Sequence, residues 1–112
     1  MRRELIAYED PKSHVSELFR TLRTNVQFIN SNKKLRTLLV TSTIPNEGKS
    51  WISSNLAITF AQANKRVLLI DADMRKCSLY KIFRVEAYPG LSNYLAGMNE
   101  NNDGNNLGKY VR

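Results

Sequence analysis

The chain has 112 residues, enough for one small domain and not two, and its 42% apolar and 24% charged residues are ordinary for a globular protein. The single cysteine, Cys77, rules out an internal disulfide, and no apolar run suits a signal peptide or a membrane span, which together point to a cytoplasmic chain. The net charge of +7 admits nucleic acid, an anionic membrane surface or a phosphate-rich ligand as partner. The basic residues are scattered without interleaved aromatics, so nucleic acid is not expected; the densest cluster is Arg75, Lys76, Lys81 and Arg84.

Residues 1 to 10 read as an extended leader. Asp10-Pro11 then has the form of a helix start, with the aspartate as cap and the proline in the first turn. Val15, Leu18, Phe19, Leu22, Val26 and Ile29 follow at spacings of three and four, which predicts an amphipathic helix within residues 10–32. Glu17, Arg20 and Arg23 form a charged stripe beside its apolar face.

Leu35 to Thr41 is short, aliphatic and β-branched, and reads as a strand buried on both faces. A helix is predicted from Lys49 to about Asn64, with Ile52, Leu56, Ile58, Phe60 and Ala63 suited to burial. Arg66 to Asp71 is a second aliphatic strand. Residues 35–75 thus form one βαβ unit of an α/β fold, with a parallel sheet flanked by helices. Leu79 to Phe83 suits a helical turn, and Leu91 to Ala96 a short helix closed by Gly97. Residues 99–112, polar and rich in asparagine, are expected to be flexible.

Two stretches carry chemistry. The first is T-S-T-I-P-N-E-G-K-S, residues 41 to 50, between the first strand and its helix. A loop placed there aims backbone N–H groups at one point, and the helix N-terminus adds partial positive charge. Gly48 permits close approach of the backbone to phosphate oxygens, Lys49 can bridge terminal phosphates, and the Ser50 hydroxyl can ligate Mg²⁺. Thr43 stands where a phosphate loop usually has its first glycine, and Asn46 tolerates a positive φ. Thr43, Pro45, Asn46, Glu47, Gly48, Lys49, Ser50 and Trp51 are therefore the candidate nucleotide-contact residues, with the Trp51 ring suited to packing rather than to stacking on adenine. The second stretch is L-L-I-D-A-D-M-R, where Asp71 and Asp73 close the second strand. Carboxylates at that edge can hold the metal's water or orient an attacking hydroxyl, so Lys49, Asp71 and Asp73 are the catalytic candidates and Ser50, Asp71 and Asp73 the metal candidates.

Taken together, the sequence resembles the bacterial tyrosine kinases. The first stretch looks like their Walker A loop, L-L-I-D-A-D-M-R-K resembles their Walker A′ motif, and Glu17-Leu-Phe-Arg20-Thr-Leu-Arg23 matches their E-x-x-R-x-x-R motif. Gly90-Leu91-Ser92 with Leu95 is similar to the segment that follows, so the match runs from about residue 10 to 98. The resemblance implies a P-loop fold and ATP with Mg²⁺ as the working ligands. The implied activity is autophosphorylation and transfer to protein tyrosines, in the control of capsular or exopolysaccharide synthesis. It also implies rings formed through Glu17, Arg20 and Arg23, and recruitment to the inner face of the membrane by an adaptor protein. Cys77 departs from the pattern where a proline is common. No third aliphatic strand ending in aspartate (Walker B) follows, and Tyr110 stands alone where a tyrosine cluster is expected, so the chain reads as the N-terminal portion of such a kinase domain.

Two other readings stay open. Partition and cell-division ATPases share the fold, but their loop carries a signature lysine where this chain has Ile44. Alternatively the chain is an inactive ring-interface or regulatory fragment.

Overall fold

The structure, a computed structural model, describes residues 4–29, 36–41, 48–97 and 107–112. The chain divides into two compact units, Met1–Leu69 and Ile70–Arg112.

The first unit is built on three helices: α1 (Ile6–Glu9), α2 (His14–Ile29) and α3 (Lys49–Gln62). The presumed leader is thus partly helical, and it is anchored: Ile6 and Ala7 are buried. The start of α2 also differs from the expectation. Asp10 ends α1 instead of opening α2, and the helix begins after Ser13, whose Oγ accepts the Ser16 N–H at 3.1 Å. The reason is local. The Asp10 carbonyl is occupied by the Ser13 N–H and the Ser16 hydroxyl, so the Asp-Pro step becomes a turn between two helices and serine takes the cap.

Ile6, Phe19 and Leu56 form the core of this unit, with Val15, Ile52 and Phe60 packed against it. The apolar face read for α2 is therefore covered only in part: Phe19 is buried, while Leu18 and Leu22 remain exposed. They line an apolar groove of about 240 Å³ with Val15, Phe19, Trp51 and Ile52. At its far end α3 stops in a left-handed residue, Asn64 (φ 63°). The Asn64 N–H returns to the Ala61 carbonyl, and the Lys65 N–H to that of Phe60. Asparagine suits this position, because its short polar side chain tolerates the left-handed region.

The buried face of α3 is more polar than its sequence suggests. Ser54, Asn55 and Thr59 are fully enclosed beside Leu56, and each makes hydrogen bonds. Helical geometry accounts for this: residues 52, 55, 56 and 59 share one face, whereas Ile58, an expected core residue, falls off it and is only half-buried.

The described residues of the two aliphatic segments do not form strands. No strand occurs among the described residues, so the expected parallel sheet is not seen there. Their side chains are correspondingly open: Leu39 is 83% exposed and Leu68 56%, against the expectation of burial on both faces. An aliphatic run specifies a strand only where neighbouring strands and covering layers exist to bury it.

The second unit contains α4 (Leu79–Phe83), α5 (Leu91–Gly97) and a 3-10 turn at Leu107–Tyr110. Both short helices match the sequence expectation. The expected flexible tail is ordered at its end: Tyr110 packs edge-to-face on Tyr94 at 5.4 Å, and the Arg112 guanidinium donates to the Tyr88 carbonyl at 2.6 Å. The rest of that tail, residues 99–106, lies outside the described residues.

Candidate nucleotide-binding site

The phosphate-loop reading rests on residues 43 to 50. Of these, Thr43, Pro45, Asn46 and Glu47 lie outside the described residues, and Gly48, Lys49 and Ser50 lie within them. Gly48 occupies the N-cap of α3 with φ 82° and ψ 20°. A side chain there would meet no described atom within 4 Å, so the requirement for glycine is conformational rather than steric. Its carbonyl accepts the Ile52 N–H at 2.9 Å and starts the helical ladder. Lys49 and Ser50 then stand in the first turn, at the end of the helix that carries partial positive charge.

That first turn has a second layer of bonding. The carbonyls of Lys49, Ser50 and Trp51 each accept a side-chain donor four residues on. Ser53 Oγ reaches Lys49 at 2.6 Å, Ser54 Oγ reaches Ser50 at 2.6 Å, and Asn55 Nδ2 reaches Trp51 at 2.8 Å. The sequence reading missed these residues. Their signal is the Ser53-Ser54-Asn55 run, three polar positions in a stretch otherwise suited to burial. The Trp51 ring packs edge-to-face on Phe19 with centroids 5.2 Å apart, in keeping with a packing role.

Asp71 and Asp73 belong to the second unit, on one loop that their carboxylates organise. Asp71 Oδ1 accepts the Asp73 N–H at 3.1 Å, and Oδ2 accepts those of Ser78 and Leu79 at 3.0 and 3.2 Å, which caps α4. Asp73 Oδ1 accepts the N–H groups of Arg75 and Lys76 at 3.3 and 3.0 Å. Each carboxylate oxygen has two lone pairs, so these bonds fill Asp71 Oδ2 and Asp73 Oδ1, orient both acids and leave one lone pair on Asp71 Oδ1.

The charged stripe of α2 splits into two parts. Glu17 and Arg20 pair at 3.1 Å on the surface, and Arg20 also donates to the Pro11 carbonyl. Arg23 turns the other way and donates from Nη1 to the Thr59 carbonyl of α3 at 2.9 Å. Its buried Nε has no hydrogen-bond partner among the described residues.

Residues 38–101 match the family described as CobQ/CobB/MinD/ParA nucleotide binding domain. Similar proteins include the tyrosine-protein kinase YwqD of Bacillus subtilis (strain 168), 45% identical over 95 residues, a stretch covering 85% of this chain and 40% of YwqD. The tyrosine-protein kinase etk of Escherichia coli (strain K12) is 38% identical over 97 residues, 87% of this chain and 13% of etk. The tyrosine-protein kinase ptk of Acinetobacter johnsonii is 38% identical over 93 residues, 83% of this chain and 13% of ptk. The chain thus spans from 13% to 40% of the length of these relatives.

Proposed function

We propose a function on one premise: the chain belongs to the CobQ/CobB/MinD/ParA nucleotide-binding family. On that premise it binds ATP at the start of α3, as the nucleotide-binding part of a protein-tyrosine kinase that autophosphorylates and regulates capsular or exopolysaccharide synthesis. The observation that carries the reading is the left-handed Gly48 capping α3 with Lys49 and Ser50 behind it, in a chain 45% identical to a tyrosine-protein kinase.

The chemistry assigned to each residue follows from its type and place. Backbone N–H groups of the loop that ends at Gly48, where Pro45 has none to give, and of the first turn of α3 would receive phosphate oxygens. The Lys49 ammonium would draw charge from the terminal phosphates as the γ-phosphoryl group passes to a tyrosine hydroxyl. The hydroxyl of Ser50 and the carboxylates of Asp71 and Asp73 are hard oxygen donors, the kind Mg²⁺ takes. Mg²⁺ at the phosphates would neutralise the charge that develops on them. Asp71, already oriented by three N–H donors, is assigned to hold the metal's water or to orient the attacking hydroxyl.

Assembly belongs to the same proposal. Glu17, 67% exposed, and Arg20 are open to contact with a second copy, while Arg23 is engaged with α3. No described helix is long and apolar enough to cross a membrane. Recruitment to the inner membrane face by an adaptor protein belongs to the same proposal. A partition-type ATPase of the same family is the second reading; Ile44, in place of that branch's signature lysine, favours the kinase.

The test is ATP affinity with and without Mg²⁺ in the wild type and in Lys49→Met, followed by labelled ATP with a purified adaptor fragment. A large loss of binding in the variant and label on protein tyrosine support the kinase. Phosphate release stimulated by DNA or lipid, with no labelled tyrosine, supports the rival. An unchanged affinity in Lys49→Met removes the nucleotide site altogether.

A further inference from the structure

The N-terminal residues are fastened to α3 chiefly by side-chain amides gripping the main chain. Asn55, fully enclosed, accepts the Ala7 N–H on Oδ1 at 2.9 Å and donates from Nδ2 to the Glu4 carbonyl at 2.8 Å. Two turns further along α3, Gln62 Nε2 donates to the Ala7 carbonyl at 2.9 Å. From the other side the Ser16 hydroxyl meets the carbonyls of Ile6 and Asp10 at 3.0 and 2.6 Å. Residues 4–10 are a strap with its polar main-chain atoms met by three side chains.

The Asn55 amide does not stop at the strap. Its Nδ2 also donates to the Trp51 carbonyl, in the same turn that carries Lys49 and Ser50. Of the three side chains that bond back to this turn, Ser53 and Ser54 stay within α3, and Asn55 alone among them continues to another element. One planar amide therefore fixes two things at once: where residues 4–7 sit, and how the first turn of α3 is held. A buried side-chain amide with both donors and its acceptor engaged has one orientation open to it.

We propose that the N-terminal strap sets the geometry of the phosphate-binding turn, with Asn55 as the positioning residue that links them. This rests on the assignment of ATP to the start of α3. Release of the strap frees Nδ2 from Glu4 and lets the amide rotate away from Trp51, which loosens the turn that presents Lys49 and Ser50. Occupancy of the turn by phosphate in turn favours the docked strap, since coupling of this kind is reciprocal.

The test uses the full chain and MgATP, read by the fluorescence of Trp51, the single tryptophan, which stands in the turn itself. Asn55→Asp keeps the shape and the acceptor but sets a carboxylate oxygen against two carbonyls. It is expected to weaken MgATP binding about tenfold, the scale of one or two buried hydrogen bonds. Gln62→Ala loosens the strap without touching the first turn and is expected to cost about threefold. In both variants amide exchange should quicken at Ala7 and across residues 49–53. Gln62→Ala decides the matter even where Asn55→Asp fails to fold. Faster exchange at Ala7 with affinity unchanged to within about twofold would show a strap that is only structural, and overturns the inference. A wild-type chain that binds no MgATP overturns the nucleotide assignment and the inference with it.

Discussion

Arg23 on α2 and Thr59 on α3 are joined side chain to main chain: the guanidinium Nη1 donates to the Thr59 carbonyl oxygen at 2.9 Å. The bond crosses between two helices whose apolar contact is small, with Phe19 and Leu56 as its buried residues. The other members of the same charged stripe, Glu17 and Arg20, meet each other on the surface.

That contrast separates the two arginines in stability. Arg23→Ala should lower the free energy of unfolding by about 1 to 3 kcal/mol, through the lost charge-assisted bond and the packing of its stem. Arg20→Ala should change it by no more than about 0.5 kcal/mol, because its ion pair and its bond to the Pro11 carbonyl both lie open to water. Urea denaturation of the two variants checks the order. Equal effects would contradict the split.

The Phe19–Trp51 contact predicts an optical consequence. Phe19 is 6% exposed and its ring packs edge-to-face on the indole. Phe19→Leu should cost about 1 to 2 kcal/mol and move the tryptophan emission to the red, as water reaches a ring that has lost its neighbour. An unshifted spectrum in a folded variant would mean that Phe19 does not shelter the indole.

Gly48 offers a conformational test. Because its φ is 82° and no described atom blocks a Cβ, replacement should be graded by backbone preference and not by size. Gly48→Asn should cost least, Gly48→Ala about 1 kcal/mol, and Gly48→Val more, since branching at Cβ disfavours the left-handed region. Thermal unfolding of the three variants tests the ranking, and Ala equal to Val would break it.

In the second unit, Asp71 caps α4. Asp71→Asn removes one of the two carboxylate oxygens and its charge, and should cost about 1 kcal/mol. Faster amide exchange at Ser78 and Leu79 is the expected readout, with the Asn64 turn in the first unit unaffected.

The helices were legible where a local rule sufficed. Gly48-Lys49-Ser50 announces the start of α3, and Asn64 suits its left-handed end. The turn expected at Leu79 to Phe83 and the short helix expected from Leu91 to Ala96 are present as α4 and α5. The strap was not legible, because α1 has only four residues and its docking depends on Asn55, 48 positions away from Ala7. Nor was the start of α2: Asp10-Pro11 and Ser13 are both good openings, and the choice fell to hydrogen bonds from Ser16. Arg23 fits a surface stripe by spacing alone; only the approach of α3 draws it inward. The aliphatic segments show the converse, a sound local preference without the neighbours that turn it into a sheet. For the candidate site, the first turn of α3 was readable but the side chains bracing it were not, since serine and asparagine inside a helix look neutral in sequence.

Those aliphatic segments also govern how the chain behaves among its own kind. Leu38, Leu39, Val67 and Leu68 present oily side chains to water from main chain that adopts no regular ladder. Exposed apolar stretches of this sort favour self-association, and a surplus of seven positive charges opposes it by mutual repulsion. Shelf life in dilute buffer and precipitation in concentrated salt are two faces of that single balance.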